Sequence, residues 1–187
     1  MNKRLIKLGR NTALISIFLG TLIFGLYFLT SLFNLLFIGY GFIVLAVLIN
    51  IGILFAILIR AIKDKENRKQ LLTTSGLMLI NIPIMLLYCW ITTILLGTMR
   101  ITFTNETGTP ISDIKIIGCG GGYIDKLKNG ESKTVWVKIT VDCSIFLDYY
   151  SNGQRKQETV AGYVTSSMGQ KINHKIDGKY KDFFLDK

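Results

Sequence analysis

Cys119 and Cys143 are the residues best placed for covalent chemistry in this chain. Each stands at the end of a strand-like run: GCGGG follows one, and CSIFLDYY opens with the other. Two thiols at strand ends can close a bridge between neighbouring strands or sheets wherever the compartment is oxidising. A loop of that size adds about 3 kcal/mol in the chain-entropy account. The same thiols with His174, the only histidine, make a poor metal set. Three scattered ligands lack the C-x-x-C spacing that presents two thiolates to one ion. Cys89 sits in an apolar run and reads as inert filler. GCGGGY resembles a phosphate cradle only in composition. Such loops lead into a helix N-terminus, whereas the residues here go on to alternate, so a turn or bulge is the better reading. Asp142 and Asp148, six apart across one strand, form no acid–base pair, and no Ser-His-Asp set or activated cysteine is recognisable. The chain reads as a non-enzyme that needs no cofactor and no metal.

A second group of polar residues lies where water is scarce. Asn50 and Asn81 fall inside long apolar runs. Asn50 is ten residues before Arg60 and Asn81 eleven after Gln70. In an antiparallel hairpin those offsets give nearly one depth, so the two amides are expected to face each other or a shared partner. Pro83 removes a backbone donor to the carbonyl of Leu79 and predicts a helix kink. No charged residue or histidine interrupts the apolar runs, which disfavours a pump or proton-coupled transporter.

The elements that position these residues follow from charge. Asn11 to Ile59 carries no charge over 49 residues. A single helix of that length would be about 73 Å long, against a hydrocarbon core of about 30 Å. The run therefore holds two spans, near 11–32 and 36–60, with Thr30, Ser31 and Asn34 as the turn and Gly39-Tyr40-Gly41 as a second candidate. A third span covers 71–97. The apolar part of the first is too long for a cleaved signal, and nothing like A-x-A follows it. Residues 1–98 hold nine Lys/Arg against two acids, and residues 99–187 thirteen against ten. The excess clusters in Met1–Arg10 and in RAIKDKENRK at 60–69, both flanking spans. Basic clusters of that kind mark the cytoplasmic side rather than a nucleic-acid surface. The expected topology has the amino terminus inside and residues 99–187 outside, in the bacterial case periplasmic or extracellular.

From Arg100 the period changes to two. Strand-like runs begin at ITFT, ISDIKIIG, GYIDKL, TVWVKITV, CSIFLDYY, QETVAGYVT and KINHKID, separated by turn sequences that include two Asn-Gly pairs. Val135, Val137, Ile139 and Val141 share a face of the fourth. The fold class is thus membrane α plus all-β: three transmembrane helices followed by a small antiparallel β-sandwich. Trp136, Phe146 and Tyr150 fall out of phase with the Val135 and Ile145 faces and are candidates for an exposed aromatic binding patch. The tail YKDFFLDK offers Phe183, Phe184 and Leu185 to close the sheet or to touch the membrane or a partner.

The stretch ITFTNETGTPISDIKI followed by LKNGESKTVWVKI resembles bacterial immunoglobulin-like modules. Those pair an N-x-x-G exit from a first strand with an L-x-x-G-E-S turn before a Val-rich strand. The resemblance covers about 40 residues. It implies a β-sandwich used for adhesion, spacing or partner contact and carries no catalytic residues with it.

These readings lead to a membrane-anchored, extracytoplasmic binding module. Its partners would be the lipid bilayer and a protein at the membrane, with no nucleic acid. An immunity protein or an accessory subunit of an envelope complex fits. The alternative is a membrane effector whose helices oligomerise when the β-domain senses a ligand.

Overall fold

The computed structural model describes residues 2–177. The chain divides into two compact units, Met1–Ile91 and Thr92–Lys187.

The first unit is built from α1 (Asn2–Thr30), α2 (Asn34–Lys63) and α3 (Arg68–Leu96), of which the last turn belongs to the second unit. All three helices are long and apolar enough to cross a membrane. Their 29 to 30 residues give lengths near 45 Å, enough for a bilayer with its headgroups. Large side chains such as Phe18, Phe37 and Leu48 stand exposed, as lipid-facing positions require. The first turn forms at Ser31, whose positive φ of 54° reverses the chain. The Thr30 hydroxyl donates to the Leu26 carbonyl at 2.7 Å. Gly39-Tyr40-Gly41 lies within α2. In the second turn Asp64 Oδ1 accepts the amides of Glu66 and Asn67, each at 3.1 Å. Near that turn the helices meet through Ala13, Ile57, Ala61, Leu71 and Met78. A Cβ on Gly9 would stand 2.5 Å from Ile57 Cδ1, so the missing side chain is what lets α1 approach.

The second unit holds β1 (Thr98–Asn105), β2 (Ile111–Ile117), β3 (Gly122–Leu127), β4 (Ser132–Lys138), β5 (Cys143–Ser151), β6 (Gln154–Val164) and β7 (Lys171–Ile176). They form a three-stranded sheet in the order β4-β1-β7 and a four-stranded sheet in the order β3-β2-β5-β6. Alternate residues point inward: Met99, Ile101 and Phe103 from β1, Ile145, Leu147 and Tyr149 from β5, and Ile114, Ile116, Ile124, Leu127 and Val137 from their neighbours.

Three helices followed by a small, mostly antiparallel β-sandwich is the expected fold class, and two details depart from expectation. One pair is parallel, because β7 runs in the same direction as β1. The chain leaves β6, crosses to the other sheet through residues 165–170 and enters β7 from the end at which β1 also begins. Val141 does not continue the buried face of Val137 and Ile139 but is 66 % exposed. Strand β4 ends at Lys138, because the chain must turn there to reach β5 in the other sheet.

The motifs behind the immunoglobulin-like resemblance meet at one buried residue. Asn105 donates through Nδ2 to the carbonyls of Thr109 and Leu127, at 2.8 and 3.0 Å, and accepts the Thr107 amide at 3.0 Å. Its own carbonyl takes the Gly130 amide at 2.7 Å. Both turns are therefore fastened to the end of β1.

Candidate interaction face

Strand alternation turns Ile117 and Lys115 of β2, Phe146, Asp148 and Tyr150 of β5, and Arg155 of β6 outward on the four-stranded sheet. Register fixes the rows. Tyr150 lies between Ser112 and Arg155, Lys115 beside Asp148, and Ile117 beside Phe146. Tyr123 of β3 stands opposite Lys115. Ile117, Tyr123 and Tyr150 are exposed.

Arg155 organises this face. Its Nε donates to both carboxylate oxygens of Asp148, at 2.8 and 3.0 Å, and its Nη1 to Asp113 Oδ2 at 3.0 Å. The guanidinium sits 5.1 Å from the Tyr150 ring centroid. Hydrogen bonding to Asp148 pushes its pKa further up, so the cation is permanent. Asp113 reaches this hub only because the backbone is irregular there. The β2–β5 register shifts between Ser112 and Lys115, and Asp113 has a φ of 49°. A bulge re-aims one side chain, and a non-glycine residue held at positive φ is a cost that the surroundings must offset. Burial pushes the Asp113 carboxyl up, but Arg155 and Lys115 outweigh it and hold it below the usual carboxylate range. Burial, with the charges of Asp113 and Asp125, raises the Tyr123 phenol. The arrangement offers flat aromatic surface beside a guanidinium already fixed in place. Little side-chain entropy is then lost on contact, and Tyr and Arg are the residue types that anchor protein interfaces.

Other predicted residues lie elsewhere. Trp136 is 50 % exposed on the outer face of the three-stranded sheet, 5.8 Å from the Arg100 guanidinium. Phe146 and Tyr150 belong to the other sheet, so the three aromatics do not make one patch. Cys119 and Cys143 are joined in a disulfide with Cα atoms 5.4 Å apart. The bridge ties the loop after β2 to the start of β5 within one sheet, whereas the antibody bridge links two sheets. The glycine run has a local cause. Gly118 has a φ of 96°, and a Cβ there would lie 1.8 Å from the Ser144 carbonyl oxygen. The Gly120 amide donates to the Lys138 carbonyl at 2.7 Å and the Gly121 amide to the Gly118 carbonyl at 2.9 Å, so neither is left for a phosphate.

In the helical unit, Asn50 Nδ2 donates to Ser16 Oγ at 2.9 Å and Asn81 Nδ2 to the Ala13 carbonyl at 3.3 Å. The two amides thus bind α1, about one turn apart, rather than each other. Their Oδ1 atoms are buried without a hydrogen-bond partner. Pro83 lies inside a continuous α3. Cys89 is exposed on the same helix.

One polar cluster escaped the sequence reading. The buried Tyr149 hydroxyl donates to Glu158 Oε1 at 2.5 Å, and Glu158 Oε2 lies 3.2 Å from His174 Nε2. Tyr149 and Glu158 come from the four-stranded sheet and His174 from the other, so the carboxylate clasps the two layers at their open edge. Burial, then Glu158, drives the Tyr149 phenol far up, and it stays a neutral donor. Among the described residues no group of three His, Cys, Asp or Glu could hold a metal ion. The tail Phe183-Phe184-Leu185 lies outside the described residues. No protein-family model, curated protein or solved structure matches the chain.

Proposed function

We propose that this protein is a membrane-anchored binding module whose outer four-stranded face captures a protein partner at the extracytoplasmic surface. The observation that carries the reading is the Arg155 hub. A guanidinium held by Asp113 and Asp148 beside Tyr150, on a face that also carries Tyr123, Phe146 and Ile117, is a preorganised anchor on a surface that has no role in the core. The basic clusters Lys3, Arg4, Lys7, Arg10 and 60–69 favour a cytoplasmic amino terminus. The Cys119–Cys143 bridge favours an oxidising compartment for the β-domain, in agreement with three spans. Only Gly97 separates α3 from β1, so the module stays at the membrane and its partner must come there. An immunity protein against a membrane-acting toxin and an accessory subunit of an envelope complex both meet these conditions.

Site-specific photocrosslinking in cells tests the reading. A crosslinker at Tyr123 or Gln157 should capture one discrete protein, whereas one at Thr134 on the opposite sheet should not. Tyr150→Ala and Arg155→Ala should each abolish the adduct while the Cys119–Cys143 bridge still forms. Equal crosslinking from Thr134, or an adduct indifferent to both substitutions, would overturn the assignment.

A further inference from the structure

The β-domain has one end at which α3 delivers the chain. Strands β1, β3, β5 and β7 begin there and β2, β4 and β6 finish there, so its loops are 118–121, 139–142 and 165–170. The last turn of α3, Thr92–Leu96, belongs to the same compact unit. It is fastened at three points. The Leu96 carbonyl accepts the Gly169 amide at 2.9 Å, and the Gly97 carbonyl accepts the Ile139 amide at 2.9 Å. The Thr98 hydroxyl donates to the Ile94 carbonyl at 2.8 Å.

Leu96 closes a helix apolar enough to cross a bilayer. Two residues later Thr98 pairs with Lys138, and two further on Arg100 lies between Trp136 and Lys171. At no more than about 3.5 Å per residue, that second row lies within about 14 Å of the helix end. The headgroup zone on each side of the hydrocarbon is itself about 5–8 Å thick. The side chains at this level are of two kinds. Trp136 is 50 % exposed, and the loop residues Val141 and Met168 are 66 % and 42 % exposed, all three without a core to fill. Lys138 and Lys171 are also exposed. In the 139–142 loop the Asp142 carboxylate takes the hydroxyls of Tyr163 and Thr165. Exposed apolar tips on the loops, with Lys138 in the first row beyond them and Trp136 and Lys171 in the second, bring together the apolar, aromatic and cationic side chains that a bilayer interface takes, the long lysine stems reaching out to the phosphates.

We propose that this end of the β-domain is a lipid-contact surface. Trp136, Val141 and Met168 seat in the interfacial zone, and Lys138 and Lys171 engage the phosphates of anionic headgroups. Its tryptophan and lysines belong to the opposite sheet from the Arg155 hub, which lies beside the β5–β6 turn at the other end of the domain.

The chain has two tryptophans, and Trp90 is itself lipid-exposed. Trp90→Phe therefore leaves Trp136 as the sole reporter in the full-length protein. This variant is placed in nanodiscs of phosphatidylcholine alone or mixed equally with phosphatidylglycerol. The acyl chains carry bromine close to the headgroup, which quenches indoles at interfacial depth. Trp136 should be quenched several-fold more strongly in the anionic discs, and high salt should narrow the difference by screening the lysines. Lys138→Glu with Lys171→Glu should remove the lipid dependence, with an intact Cys119–Cys143 bridge as the check on folding. Equal quenching in neutral and anionic discs, with the lysines unaltered, would overturn the proposal whether or not the double variant folds. So would loss of the anionic effect on exchanging chloride for inorganic phosphate at constant ionic strength, which would identify a free-anion site, or absence of quenching in both discs.

Discussion

Reduction of the Cys119–Cys143 bridge is a perturbation whose size can be worked out. The bridge closes a loop between residues 24 apart. Releasing it returns about 3.5 kcal/mol of chain entropy to the unfolded state. The folded packing has no reason to change, since the adjoining pairs Ile116 with Leu147 and Ile117 with Phe146 are held by the β2–β5 ladder. A domain of this size shifts its melting temperature by about 4–8 °C per kcal/mol, so the β-domain should melt roughly 15–25 °C lower when reduced. The assay is a near-ultraviolet circular dichroism melt of the full chain in nanodiscs, with and without reductant. Cys119→Ser with Cys143→Ser should reproduce the reduced curve. A shift under about 5 °C would refute the argument: it would mean that the unfolded chain already keeps these two segments together.

Three further outcomes are expected. Hydroxyl bonds from Thr165 and then Tyr163 hold the Asp142 carboxyl below its ordinary range. A depressed carboxyl contributes stability that is complete above its unfolded value of about 3.9 and is lost as the pH falls through the folded value. The melting temperature should therefore decline below about pH 4, and Asp142→Asn should make that decline shallower. Glu158→Leu strands the buried Tyr149 hydroxyl and should lower stability in denaturant titrations by about 2 kcal/mol, more than Tyr149→Phe; a neutral result would remove the clasp from the account. Asn50→Leu loses bonds at 2.9 and 2.8 Å, whereas Asn81→Leu loses one at 3.3 Å. The first should weaken helix packing by about 1 kcal/mol and the second by less, as read by steric trapping in bicelles; equal losses would contradict the geometry.

The helices were legible because charge and length leave so little choice. The uncharged run from Asn11 to Ile59 had to fold back, and Ser31 was among the few residues suited to the reversal. Strand positions were legible from alternation, but sheet membership was not. Consecutive β4 and β5 lie in different layers, which no local period records, so Trp136 was grouped with aromatics it never meets. The same switch of sheet exposes Val141. Arg155 could have been found: Asn152-Gly153 makes a two-residue turn, and counting back from it sets Arg155 opposite Tyr150. Asp113 could not, because its approach depends on a bulge that the sequence does not announce. Likewise the glycine at 118 is explained only by the Ser144 carbonyl in a strand that follows much later.

The parallel pairing of β7 with β1 sets an order of assembly. β1 is the middle strand of its sheet, and both of its neighbours come later in the chain. Synthesis therefore delivers β1 first and leaves its two edges open until β4, and finally β7, arrive. Closure depends on contacts between the first and last of the described strands, the kind of non-local step that makes folding slow. Until Lys171–Ile176 docks, the Arg100–Asn105 edge is a bare template, able to accept a strand from another chain. A chain arrested before Lys171 would keep that template, and its fate would be self-association rather than simple loss of one strand.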